Sequence, residues 1–123
     1  MNNSDSKNIV EKKSFDFAIR IINVYKYLTE KKNEYVLSKQ LLRCGTSIGA
    51  NVEEAEGAIT KKDFLNKMYI AHKESRETSY WIRLLFQTEF ITKKQYESIF
   101  NDCEDLIKLT GKIISTTSSS LKS

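Results

Sequence analysis

Apolar positions recur along this chain at intervals of three and four, the period of helices that pack on one another. The pattern is sharpest in the second segment. There Leu41, Gly45, Ile48, Val52, Ala55 and Ile59 form a seam that faces partner helices. A second row, Gln40, Arg43, Ser47, Asn51 and Glu54, is turned well away from it and is wholly polar. Gly45 and Gly49 fall inside this helix. Each costs roughly 1 kcal/mol relative to alanine, a loss that close approach of another backbone offsets. A helix with one apolar and one ordered polar face is built to touch two different things.

The pattern predicts four helices. The first spans about Asn8 to Leu28, with Phe15, Ala18, Ile19, Ile22 and Tyr25 as its apolar face. Lys31, Lys32 and Asn33 connect it to the second, about Tyr35 to Glu56, which Gly57 ends. Thr60 with Asp63 opens the third, whose seam is Phe64, Met68, Ala71, Ser75, Thr78, Ile82 and Leu85. Thr92 with Gln95 opens the fourth, with Tyr96, Phe100, Cys103, Ile107, Thr110 and Ile114 as its seam. Short connections between helices of one period predict an all-α, antiparallel up-down four-helix bundle. Its core covers about residues 8–114, with loose tails at 1–7 and in the Ser/Thr-rich stretch 115–123.

A chain of 123 residues makes one domain with a thin core that an oligomer would help. Proline is absent, which permits long unbroken helices. No run of about 20 apolar residues spans a membrane, and the polar N-terminus lacks a signal-peptide hydrophobic region. Cys44 and Cys103 lie far apart without a Cys-x-x-Cys spacing and read as buried, reduced thiols. Together these features predict a cytoplasmic protein.

Candidate chemistry is sparse. A bundle di-iron site needs two Glu-x-x-His motifs, and this chain has one histidine, His72, with none. Glu74 and Glu77 are a carboxylate pair at i, i+3. An antiparallel hairpin centred near residues 58 and 59 sets Arg43 level with them, so an ion pair is expected rather than acid–base chemistry. No P-loop occurs, and Gly45-Thr-Ser-Ile-Gly49 has no strand before it. The residues support no enzyme, metal or cofactor.

Charge changes the picture more. The net charge is +4, and between residues 61 and 88 Lys61, Lys62, Lys67, Lys73, Arg76 and Arg83 oppose only Asp63, Glu74 and Glu77. Lys62, Tyr69, Lys73, Arg76, Tyr80 and Arg83 fall within a sector of about 80° on a helix of 3.6 residues per turn. Cations hold phosphates and tyrosine rings stack on bases or brace riboses, so this stripe is the candidate nucleic-acid surface. The competing reading is a solvated basic face with rings lying along lysine stems.

Two motifs carry a resemblance. Arg43-x-Gly-Thr-Ser-Ile-Gly-Ala-Asn-x-x-Glu-Ala, then Asp63-Phe64, then Ala71-x-Lys-Glu-x-x-Glu-Thr-x-Tyr-Trp-x-x-Leu-Leu85 resemble the four-helix-bundle proteins encoded in 23S rRNA intervening sequences. The resemblance covers about residues 15 to 110, and relatives include the accessory variability protein of diversity-generating retroelements. Cys44 stands where that family tends to have serine. The resemblance implies a homopentameric barrel, association with RNA or DNA through a basic surface, and a reverse transcriptase as partner in the retroelement branch. It marks Arg43, Ser47, Asn51, Glu54, Glu74, Glu77 and Trp81 as structural or interface residues. Two expectations follow: a non-enzymatic, oligomeric nucleic-acid-binding accessory protein, or a protein–protein assembly scaffold.

Overall fold

A computed structural model describes the backbone of residues 3–122 and the side chains of residues 8–121. It contains helices α1 (Asn3–Lys31), α2 (Leu37–Glu56), α3 (Lys61–Gln87) and α4 (Lys93–Lys122). Each helix packs on its neighbours in sequence and α4 closes back on α1, so α1 lies diagonally across from α3, and α2 from α4. This is the antiparallel up-down four-helix bundle that the hydrophobic period predicts.

The outer helices exceed their expected limits. Residues 3–7 belong to α1, and residues 115–122 belong to α4; residues 1, 2 and 123 lie outside the described residues. Three contacts hold the Ser/Thr-rich end of α4. Thr117 is buried, Thr116 Oγ1 donates to Lys112 O at 2.9 Å, and Lys61 Nζ donates to Ser120 Oγ at 2.6 Å.

The helix starts follow side-chain capping. Thr60 Oγ1 accepts from Asp63 N at 3.0 Å. Thr92 and Gln95 cap reciprocally: Gln95 N donates to Thr92 Oγ1 at 3.2 Å, and Thr92 N donates to Gln95 Oε1 at 2.8 Å. The start of α2 is different, because the buried Glu34 carboxylate accepts from Val36 N, Leu37 N and Ser38 N at 3.0, 2.6 and 2.9 Å. Burial pushes this carboxyl up, but those backbone bonds and Ser38 outweigh it and hold the group below its ordinary value. Gly57 ends α2 at φ −91°, without left-handed geometry. The left-handed positions are Asn33 (φ 53°) and Glu89 (φ 66°). At Glu89 the chain makes paired bonds, Glu89 N to Phe86 O and Phe90 N to Leu85 O, that close the last turn of α3.

The seams of α2 and α3 fall inward as the pattern predicts, except Ile59, which stands 93% exposed in the turn after α2. Two seams are corrected. In α1 the core residues are Val10, Ser14, Phe17, Ile21 and Leu28. The expected face lies one residue further on: Phe15, Ile19 and Ile22 are exposed and Ala18 and Tyr25 half-buried. In α4 the expected Cys103, Thr110 and Ile114 are buried, together with Ile99, Leu106, Ile113 and Thr117, while Tyr96, Phe100 and Ile107 lie on the flank. Stacked rings at centroid distances of 4.3 and 5.1 Å link Phe86, Tyr96 and Phe100 there.

Both interior glycines of α2 face α1. A Cβ on Gly45 would lie 2.7–3.0 Å from the Ile21 side chain, and one on Gly49 would lie 3.2 Å from the Ser14 carbonyl oxygen. The two backbones therefore approach as the glycine pattern requires, and within one chain.

Two outcomes follow. Gly45→Ala destabilises the parent, because overpacking costs about 1–3 kcal/mol against a helix gain of about 1 kcal/mol. In an Ile21→Ala background the same substitution becomes stabilising, and a double-mutant cycle in urea reads the sign change. Glu34→Gln lowers stability by about 1 kcal/mol at neutral pH. The carboxylate's folded pKa is depressed, so its contribution is complete above the unfolded value near ~4.3 and disappears as pH falls through the folded value. Parent and variant therefore converge in acid denaturation.

Candidate nucleic-acid interface

Because Phe64, Met68, Ala71, Ser75, Thr78, Ile82 and Leu85 turn inward, α3 turns Lys62, Tyr69, Lys73, Arg76, Tyr80 and Arg83 outward. All six are exposed. They span 21 residue steps, about 32 Å of helix axis. Among the described residues, no ion pair within 4 Å engages Lys62, Lys73, Arg76 or Arg83. The Arg83 guanidinium sits 6.0 Å from the Tyr80 ring centroid, and Trp81 meets Tyr80 edge-on at 5.2 Å. Tyr80 thus braces a cation, while the Tyr69 ring stands open. Arg76 and Arg83 also border an open groove against α4 with Ser79, Phe100, Ile107 and one carboxylate, Glu104.

His72 anchors the edge of this surface. Its Nδ1 lies 2.8 Å from Thr110 Oγ1, whose hydroxyl itself donates to Leu106 O at 2.7 Å. The imidazole and the Thr110 hydroxyl thus share a hydrogen bond between the two helices. Burial, then neighbouring Arg76, pushes the imidazole pKa down, against a bond to the Ile107 carbonyl that raises it. The ring is an interhelical tie between α3 and α4.

The polar row of α2 meets the carboxylate edge of α3. Arg43 Nη1 lies 3.4 Å from Glu74 Oε2, while Nη2 bonds Glu77, whose Oε2 also accepts from Trp81 Nε1 at 3.1 Å. Ser47 Oγ donates to Arg43 O at 2.7 Å and Asn51 Nδ2 to Ser47 O at 2.8 Å, both within α2. Lys67 bonds Glu54 at 2.8 Å and closes the same edge. With Arg43 49% exposed, solvent screens the pair, so removing one partner costs less than for a buried pair. Arg43 thus holds both carboxylates.

The spacing Gly45-x-Ser47-x-Gly49 lies mid-helix, and the Ser47 hydroxyl is bonded to its own helix. Cys44 and Cys103 are buried free thiols whose pKa values burial raises to about 11 and about 12. Among the described residues no three His, Cys, Asp or Glu side chains cluster as metal ligands, and no helix is long and apolar enough to cross a membrane.

Sequence reasoning did not find the ties between α1 and α4. Arg20 bonds Asp102, Ser98 O at 3.3 Å and Ser98 Oγ at 2.7 Å, and Lys13 pairs with Asp105 at 3.8 Å. These partners are 78 to 92 residues apart, and no local signal couples them.

The family model described as 23S rRNA-intervening sequence protein matches residues 6–112. Among solved structures, the chain is 54% identical to a protein with unknown function from the S23 ribosomal protein family of Bacteroides thetaiotaomicron VPI-5482. That match has a TM-score of 0.88 and covers 89% of this chain and 98% of that one. No curated protein matches. Matched over most of its length, this four-helix chain belongs to the 23S rRNA-intervening sequence protein family.

Proposed function

We propose that the protein is a non-enzymatic homo-oligomer, with five copies favoured, that binds RNA or DNA backbones through the α3 stripe. The observation that carries this reading is that Lys62, Lys73, Arg76 and Arg83 stand exposed on one face with no ion pair within 4 Å among the described residues. Unpaired cations in a row form a phosphate-binding surface whose affinity comes from counterion release. The open ring of Tyr69 adds a stacking face, and Tyr80 steadies Arg83. The family's description in terms of 23S rRNA is consistent with an RNA ligand. In a closed oligomer each copy repeats the stripe, so weak contacts add through effective concentration. Localisation in the cytoplasm and, in a retroelement setting, delivery to a reverse transcriptase fit the same surface.

Changing Lys73, Arg76 and Arg83 together to Gln tests this. The three side chains make no ion pairs within the bundle, so helicity and melting stay near the parent. Binding to structured RNA and to DNA weakens for every sequence. The slope of log affinity against log salt becomes shallower by up to about 0.9 per lost phosphate contact on a duplex. If the triple variant binds as the parent does, with the same salt slope, the stripe is a solvated face and the protein is an assembly scaffold for another protein.

A further inference from the structure

Helices α3 and α4 run antiparallel, and two side-chain contacts fix their register. His72 meets Thr110 at 2.8 Å, and the Phe86 ring stacks on Tyr96 at 4.3 Å. Between these ties lies a groove of about 300 Å³. Arg76, Ser79 and Arg83 form its α3 wall, and Phe100, Glu104 and Ile107 form its α4 wall. Spacings of three and four residues put each set on one face of its helix. The register sets Arg76 level with Ile107, Arg83 level with Phe100, and Ser79 level with Glu104.

The polar groups of this groove are not satisfied by one another. Both signs of charge line it, yet among the described residues no ion pair within 4 Å engages Arg76, Arg83 or Glu104. Ser79 is only 7% exposed, and its hydroxyl makes no hydrogen bond among the described residues. Its neighbours behave differently: Ser75 donates to His72 O at 2.6 Å, and Thr78 to Glu74 O at 2.7 Å. Among the described residues no fully buried side-chain oxygen lacks a partner, so the Ser79 hydroxyl reaches the groove through its remaining exposure. Phe100 and Ile107 are half-buried and give the opposite wall an apolar surface.

A ligand that satisfies these walls has a flat apolar body, an anion and a hydrogen-bond donor along one edge. A nucleotide with an unpaired base has all three. Its phosphates meet the arginines, and its base lies against Phe100 and Ile107. An amino group on the base gives Glu104 a donor, and an ionised carboxylate can only accept. Arg76 and Arg83 are seven residues apart, about 10 Å of helix axis, or roughly three steps of 3.4 Å along a strand. That span holds one base with its flanking phosphates. A duplex keeps its bases stacked and paired, so a paired base cannot enter.

We propose that the α3–α4 groove binds one unpaired base of a single strand, and that Glu104 selects bases with an amino group over uracil or thymine. Uracil flanks its one N–H with two carbonyl oxygens, which repel the carboxylate. The proposal rests on the phosphate-binding reading of the α3 stripe and specifies the class of nucleic acid that the stripe takes.

Fluorescence anisotropy of the full chain with short oligo(C), short oligo(U) and a blunt duplex with the same number of phosphates tests it. The parent binds oligo(C) severalfold more tightly than oligo(U) or the duplex. Glu104→Gln keeps the parent's helical circular dichroism and binds oligo(C) and oligo(U) equally. A purely electrostatic effect of Glu104 shifts both affinities together, so an unchanged ratio in this variant overturns its selecting role. Cytidine monophosphate competes with oligo(C) better than inorganic phosphate does at the same concentration; equal competition overturns the base site. If cytidine monophosphate binds as tightly as oligo(C), the ligand is a free nucleotide and the strand assignment falls. A parent that binds all three nucleic acids alike, with a salt slope that the Lys73, Arg76 and Arg83 triple variant flattens, overturns the groove and leaves the stripe. A parent that binds none of them overturns both.

Discussion

The close approach of α1 to the glycine face of α2 is the constraint on which the rest of the bundle depends. Gly45 leaves room for Ile21, and Gly49 leaves room for the Ser14 carbonyl, so these two contacts fix both the spacing and the rotation of α1. With Ser14 and Ile21 turned to α2, Phe17 and Leu28 enter the core and Phe15 and Ile22 leave it. The hydrophobic period of α1 allows either seam to face inward; the shape of α2 selects one. An interior glycine is unfavourable in a helix by itself, and here it is compensated by packing that a Cβ would exclude.

That rotation gives the four lateral faces different chemistry. The α1–α2 face is apolar. The α2–α3 face is an ordered polar edge in which Arg43 joins Glu74 and Glu77, with Lys67 and Glu54 beyond. Unpaired cations and tyrosines occupy the face where α3 approaches α4. The α4–α1 face is tied by Arg20 to Asp102 and by Lys13 to Asp105. Of the family motif residues, Arg43 joins α2 to Glu74 and Glu77 of α3, and Glu54 joins it to Lys67, while Ser47 and Asn51 bond within α2. The cations that could engage a phosphate lie on the outer face of α3 beside that edge, with Lys73 four residues before Glu77.

Much of this was legible because the responsible physics is local. Capping at Thr60 and Thr92, the inward lines of α2 and α3, and the level of Arg43 with Glu74 all follow from spacings within one helix or one hairpin. What was not legible depends on distant partners or on a choice between equal periods. The outward seam of α1 reads as a core face because Phe15, Ile19 and Ile22 are more apolar than Ser14, which lies inward. In α4, Tyr96 and Phe100 draw attention to a flank, while Ile99 and Leu106 form the buried line. Glu34 reads as a loop residue, yet it holds the start of α2 by bonding three amides that no neighbouring Ser, Thr or Asp satisfies.

A bundle of four helices has no internal use for a second heptad seam. Each helix here packs on two neighbours, and those contacts lie on the inner half of its surface. A row such as Phe15, Ala18 and Ile22, one residue out of phase with the core, adds no stability to the isolated protomer and lowers its solubility. The outward face of α4 shows the contrast, with Lys94, Ser98, Asn101, Asp105, Lys108 and Lys112 in place of apolar residues. Both helices share one period and each packs on two neighbours, yet α1 keeps apolar side chains on its outer face where α4 carries polar ones.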